Sequence, residues 1–198
     1  MRITGGDKRG FVMVSPKGKG IRPSSDHIRQ VIFNILGHDL SKRRVLDLFS
    51  GTGILGIEAL SRGAEYACFV DKSLASLRLI RRNLEITGYK DRASVIRMDL
   101  IKGFLRLKQR FDIVFIDPPY NTGLLLKTLD ILPVRDILQD NATIIGRSSK
   151  RESIPYSING MGLQDLRGYG DTRLWIYRYE GRDEGEDSYE DSYISGNI

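Results

Sequence analysis

The sequence predicts an α/β fold built on one mostly parallel, doubly wound sheet. Three observations predict it. From Arg44 onward, short apolar runs alternate with stretches of helical periodicity. A G-x-G-x-x-G loop, Gly51 to Gly56, follows the first run. Asp47, Asp71, Asp99 and Asp117 fall at or just past the ends of the first four runs. Alternating strands and helices imply right-handed crossovers and parallel neighbours. Ligands of such sheets sit outside the carboxyl ends of the strands, so one rim would carry four carboxylates.

Residues 1–23 are rich in glycine and basic residues, with Pro16 and Pro23 as stops, and read as a basic arm or hairpin with a short strand around Phe11–Val14. Ser24 or Ser25 can cap the first helix. Its apolar face is Ile28, Val31, Ile32, Ile35 and Leu36, and Gly37 ends it. Strands are expected over Val45–Phe49, Tyr66–Val70, Ala93–Arg97 and Phe111–Ile116. Helices are expected over Ile54–Leu60, Leu74–Ile86 (Leu74, Leu77, Ile80 and Leu84 on one side) and Leu124–Leu132. A strand near Ala142–Ile145 and two closing strands, Leu163–Leu166 and Leu174–Tyr179, complete one domain over 24–180. Residues 181–198 lack apolar periodicity and read as a disordered acidic tail.

Composition narrows the partners. The net charge of +6 divides into 30 bases and 19 acids over 1–180, and one base and six acids over 181–198. The first thirty residues hold seven bases against Asp7 and Asp26. A basic balance of this kind favours phosphate, hence nucleic acid. One cysteine excludes an internal disulfide framework and fits a reducing compartment. No apolar run is long enough for a membrane span, no secretory h-region is visible, and two histidines with one cysteine leave little for zinc. The expectation is a cytoplasmic, metal-free monomer.

The glycine loop alone fits a dinucleotide. Its glycines allow close approach, and Asp71 lies twenty residues past Gly51, suited to ribose hydroxyls. Asp47 argues against a pyrophosphate, because a carboxylate at the loop's mouth would face an anion. A cationic ligand is favoured. S-adenosylmethionine carries a sulfonium, an ammonium and an adenosine; Asp47 can face its amino-acid end, Asp71 its ribose and Asp99 its adenine amino group. Phe49 can pack near it, although core packing is the simpler role.

Asp117-Pro118-Pro119-Tyr120 follows the fourth strand. Two prolines fix φ and remove two donors, so the Pro118 carbonyl and the Asp117 carboxylate stand as acceptors. Such a corner suits a planar exocyclic amine, whose lone pair is delocalised into its ring. Two acceptors on its hydrogens favour a pyramidal nitrogen with its lone pair toward the methyl group. Tyr120 can stack on a base that has been flipped out or is already unpaired.

DLFSGTGILGIEALSRGA (47–64), DPPY (117–120) and the leader GGDKRG…KGKGIRPSSDHIRQVIFNIL (5–36) together resemble the RsmD-type family. These are bacterial small-subunit (16S) rRNA guanine-N2 methyltransferases that use S-adenosylmethionine. The resemblance runs over about residues 2–179. DPPY is shared with DNA adenine methyltransferases; the leader, with Arg22-Pro23 before the first helix, discriminates better. The resemblance implies a class I methyltransferase Rossmann-like sheet of seven strands with an antiparallel last strand near Leu174–Tyr179. It implies cofactor roles for Asp47, Gly51, Gly53, Asp71 and Asp99, and base-handling roles for Asp117, Pro118 and Tyr120. RNA contacts would come from Arg9, Lys17, Lys19, Arg22 and Arg29. Tyr169-Gly-Asp-Thr172 also looks like a family feature. Gly146-Arg147 departs from the pattern, which places an acid after strand five.

The bland readings are a packing role for Trp175, a core role for Cys68, exposed helix polarity for His27, and second-rank support of the cofactor site by Asn83. The competing functions are a DNA adenine-N6 methyltransferase, for which the chain is short, a nicotinamide-dependent dehydrogenase, and a non-catalytic RNA-binding assembly factor.

Overall fold

The computed structural model describes residues 1–15, 23–100, 107 and 109–181. The expected RNA contacts Lys17, Lys19 and Arg22, and the acidic tail beyond residue 181, lie outside them. The sheet takes its strands in order from β1 (Arg44–Leu48), β2 (Tyr66–Asp71), β3 (Ala93–Arg97), β4 (Phe111–Ile116), β5 (Leu138–Ser149), β6 (Ser157–Ile158), β7 (Met161–Tyr169) and β8 (Thr172–Tyr179). The helices are α1 (Pro23–Leu36), α2 (Ile54–Ser61), α3 (Leu74–Thr87) and α4 (Leu124–Ile131).

The strand order is β3-β2-β1-β4-β5-β8-β7-β6. The first five strands are mutually parallel, and β8 is antiparallel to both β5 and β7. This is the class I Rossmann-like arrangement with its reversed strand inserted beside β5. The two-residue β6 at the edge makes eight strands where seven were expected. Order reverses between β1 and β4, so the crevice for a ligand opens where the ends of those strands diverge.

Strand periodicity explains the core. Alternate residues of β2, Ala67 and Phe69 against Cys68 and Val70, face opposite sides of the sheet. One side packs under α1, α2 and α3 with Phe33, Ile57, Phe69, Ile80 and Phe115; the other collects Leu46, Val114, Leu129 and Tyr177. Cys68 is fully buried, and Trp175 is buried with its indole N–H donating to Ser148 Oγ at 2.9 Å. In α3 the expected face buries Leu77, Ile80 and Leu84, but Leu74 is exposed: it opens the helix just after the Ser73 cap, before the helix reaches the sheet.

Residues 1–15 are docked rather than free. Arg2 and Val12 form a single antiparallel bridge, so the expected strand around Phe11–Val14 is only a hairpin contact. Ile3 and Met13 are buried in the core. Asp7 N–H donates to Ser61 O at 2.9 Å, and Ser61 Oγ to Gly5 O at 2.7 Å. A buried charge cluster supports this docking. Glu58, fully buried in α2, lies 2.8 Å from Arg29 Nε and 3.0 Å from Arg62 Nη2, and Thr4 Oγ1 also donates to it. Arg29 in turn donates to Arg2 O at 2.7 Å.

Candidate active site

The β1–α2 turn is built on tight local geometry. Phe49 takes a left-handed φ of 57°, and Gly51 and Gly53 follow at 55° and 75°. Non-glycine residues rarely adopt this conformation. The turn is pinned from beneath: Ser50 Oγ donates to Asp47 O at 2.5 Å and accepts Val70 N–H at 2.9 Å. Gly56 lets α2 lie against β2, since a Cβ there would stand 2.7 Å from Phe69 Cζ.

The rim carboxylates have distinct settings. Asp47 is 1% exposed and its Oδ2 accepts Gly56 N–H at 3.0 Å. Burial pushes its carboxyl well above the usual range; the Gly56 bond opposes this, and Asp117 and Asp71 add to it. Asp71 accepts Gly51 N–H at 2.9 Å on Oδ2 and Ser73 N–H at 2.8 Å on Oδ1, tying the glycine loop to the end of β2. Asp117, just past β4, accepts from Arg147 Nη1 at 2.7 Å. Burial raises its carboxyl and Arg147 pulls it back.

Two cavities of about 300 Å³ each meet at this rim. The first is lined by Val70, Asp71, Met98, Asp99, Leu100 and Pro118, the second by Met1, Asp47, Gly51, Thr52, Ile54 and Arg147; Phe49 and Asp117 belong to both. The strained turn thus sets the Phe49 ring where the cavities join, which core packing alone would not require.

Other expected residues fall elsewhere. Gly53 lines neither cavity; it caps α2, and a Cβ there would crowd Ile80 Cγ1 at 3.1 Å. Tyr120 lines neither cavity; its hydroxyl lies 3.2 Å from Thr172 Oγ1, which ties the Asp117–Tyr120 corner to the Tyr169-Gly-Asp-Thr172 turn. His27, exposed, meets Tyr169 edge-on at 5.6 Å. Asn83 supports the loop rather than lining it: its Nδ2 donates to Thr52 O at 3.2 Å and Val14 O at 3.1 Å, and its Oδ1 accepts Val14 N–H at 2.9 Å. Arg9 is exposed. Arg29 is corrected: at 3% exposure and paired with Glu58 and Asp26, it lines the inner wall of the second cavity and is not a surface phosphate contact. Arg147 was visible only as a departure from pattern, and its reach to Asp117 across the β4–β5 register needed the fold.

The family model described as conserved hypothetical protein 95, the RsmD family, matches residues 1–178. The chain belongs to this family. An RsmD-type relative, ribosomal RNA small subunit methyltransferase D of Escherichia coli, is 31% identical over 184 residues, covering 93% of this chain and 92% of its own. The solved structure of yhhF from Escherichia coli superposes with a TM-score of 0.80 at 32% identity, over 92% of this chain and 99% of its own. An RNA methyltransferase from Salinibacter ruber, solved with S-adenosylhomocysteine, shares the fold at a TM-score of 0.59 and 11% identity, over 88% of this chain and 98% of its own.

The residues at this rim fit S-adenosylmethionine, the cofactor expected from the sequence. Asp117 and Asp71 both bear on the buried Asp47 with negative charge, which a sulfonium and an ammonium would relieve. An apolar slot of Val70, Met98, Leu100 and Pro118 with Asp71 and Asp99 at its edge suits adenosine. Among the described residues, no group of three His, Cys, Asp or Glu is placed to hold a metal ion, and no helix is long and apolar enough to cross a membrane.

Proposed function

We propose that this chain methylates the exocyclic N2 amine of one guanine in small-subunit (16S) ribosomal RNA. The observation that carries the reading is Asp117 lining both cavities, with Pro118 beside it in the first. A donor along the acidic rim and a base presented at the corner would then meet at one point. The RNA substrate is supported by the Escherichia coli relative's name and by the 30 bases against 19 acids in residues 1–180. When bound, S-adenosylmethionine supplies a methyl group activated by its sulfonium.

The chain's residues do the rest by positioning. Asp71 and Asp99 hold the adenosine, and Asp47 faces the ammonium. Asp117 and the Pro118 carbonyl accept the two hydrogens of the amine, turning its lone pair toward the methyl group. Transfer of that methyl group from sulfur to N2 would leave S-adenosylhomocysteine held by the same residues. The surplus N2 proton passes to the Asp117 carboxylate and on to water. Such alignment accounts for about 7–11 kcal/mol of a barrier in well-oriented systems. Tyr120, steadied by Thr172, stacks on the base, a contact worth about 1–3 kcal/mol. The basic leader, with the exposed Arg9, takes the RNA backbone.

The deciding experiment is mass spectrometry of ribosomal RNA nucleosides from cells with and without the protein, paired with tritium transfer in vitro. The expected result is one N2-methylguanosine in the small-subunit RNA, lost with the protein and restored by it. Transfer to DNA adenine, or an unchanged nucleoside profile, would overturn the reading.

A further inference from the structure

Arg147 stands at the end of β5 where the resemblance places an acid. It is fixed by strand register and not by a loop: it pairs with Leu174 of β8, and the preceding Gly146 sits so close under α4 that a Cβ there would lie 2.6 Å from Leu125 Cδ1. Its side chain is 17% exposed and lines the cavity that also holds Asp47, Phe49 and Asp117. A guanidinium has five donor hydrogens. Among the described residues the hydrogen bond it makes is Nη1 to Asp117 Oδ2 at 2.7 Å, and its buried Nε has no hydrogen-bond partner. A cation with spare donors is therefore built into the corner that receives the base.

The Asp117–Arg147 pair presents two acceptor oxygens and then a donor. The Watson–Crick edge of guanine presents the complement, the 2-amino hydrogen, N1–H and the O6 acceptor. Asp117 Oδ2 keeps a lone pair beside the one used by Arg147, so it can take N1–H while Oδ1 takes the amine. Adenine entering by its 6-amino group would set N1, an acceptor, against a carboxylate oxygen. We infer that Arg147 is a specificity-determining residue that donates to O6 of the target guanine while Asp117 holds N1–H and the amine. The inference rests on the guanine-N2 reading and names how that site selects its base.

The test uses full-length protein and the RNA or subunit carrying the modified position, rebuilt with guanine or with 2-aminopurine there. 2-Aminopurine keeps the 2-amino group, lacks O6 and carries N1 as an acceptor. Wild type should prefer guanine in kcat/KM by more than the roughly 10- to 100-fold of one well-made base contact, because that N1 also meets the Asp117 carboxylate unfavourably. Arg147→Ala should lose about 10- to 100-fold on guanine and almost nothing on 2-aminopurine, and the preference that remains belongs to N1–H. Arg147→Lys, which keeps the charge without the fork, should recover part of it. S-adenosylhomocysteine affinity, read by calorimetry, should be unchanged in both variants, which also reports that they are folded. An equal loss on both bases, or a loss of S-adenosylhomocysteine affinity that places Arg147 on the cofactor's carboxylate or shows a structural role, overturns the assignment. Product analysis of wild type separates the levels: a product other than N2-methylguanosine overturns the guanine reading and this assignment with it, whereas N2-methylguanosine with equal losses overturns Arg147 alone.

Discussion

Asp47 is a carboxylate held where ionisation is costly, and that cost has consequences with a definite sign. Its folded carboxyl titrates above its unfolded value because of burial. Between those two values the folded state binds the extra proton, so stability falls as pH rises through that window and stays lowered above it. A cationic donor beside Asp47 favours the ionised form. Binding of S-adenosylmethionine should therefore release a proton, and its affinity should rise with pH through the same window. Asp47→Asn should abolish the pH dependence and lower affinity at the alkaline end. Calorimetry in buffers of different ionisation heat checks this; proton uptake, or an affinity that falls with pH, contradicts it. Asp71 and Asp117 should divide differently. Asp71 anchors Gly51 and Ser73, so Asp71→Ala should weaken the cofactor by about 10- to 100-fold, the range of hydrogen bonds to charged groups. Asp117→Ala should lower kcat by about 100-fold or more, as for loss of a preorganised polar partner, with cofactor affinity near wild type. Equal affinity losses in calorimetry would remove the distinction.

At the scale of elements, two glycines hold helices close to the sheet in unequal ways. Alanine at Gly56 would meet the Phe69 ring and, at 3.2 Å, Asp47 Oδ2, a buried ring edge and a carboxylate that cannot step aside. Alanine at Gly146 would meet only the side chain of Leu125, which can change rotamer. Gly56→Ala should cost about 1–3 kcal/mol as overpacking, and Gly146→Ala distinctly less. Thermal melting reads the difference, at about 2–4 °C per kcal/mol for a chain of this size; equal shifts would refute it. The same elements show what a sequence can and cannot disclose. The central parallel strands β1, β2 and β4 were legible because both faces are largely buried and read as mostly apolar runs, and β4, like the half-buried edge strand β3, falls on its expected bounds. β5 was expected only over Ala142–Ile145. Its first half holds exposed Gln139, Asp140 and Asn141, and its end is Gly146-Arg147-Ser-Ser, a run that imitates a loop. Only pairing with β8 makes that end a strand, and pairing partners are not written locally. The rim aspartates were legible because strand ends mark them, whereas the reach of Arg147 to Asp117 spans thirty residues and two strands.

For the whole molecule, charge has to be sorted by depth before it can be assigned to a partner. Arg9 and Arg29 look alike in the basic leader. One is exposed, and the other is drawn inward by Glu58, an acid hidden in the apolar pattern of α2 and shared with Arg62 and Thr4. That cluster joins α1, α2 and the docked residues 1–15, so breaking it should loosen the leader and not merely subtract a charge. Replacing Arg9, Lys17, Lys19 and Arg22 together with glutamine should weaken RNA binding and flatten its dependence on salt. Each phosphate left without its cation takes about 0.7–0.9 off the slope of log affinity against log salt, or about 3 if all four side chains neutralise one. Melting temperature should hardly change. Arg29→Gln should do the reverse. It leaves Glu58 short of a buried partner, a loss of about 3–5 kcal/mol when one member of such a pair is removed, while molecules that remain folded keep the wild-type slope. Fluorescence anisotropy across a salt series, with melting curves on the same samples, reads both quantities. A slope unchanged by the fourfold replacement would take the leader out of the interface, and a slope flattened by Arg29→Gln at unchanged stability would return that residue to the RNA surface.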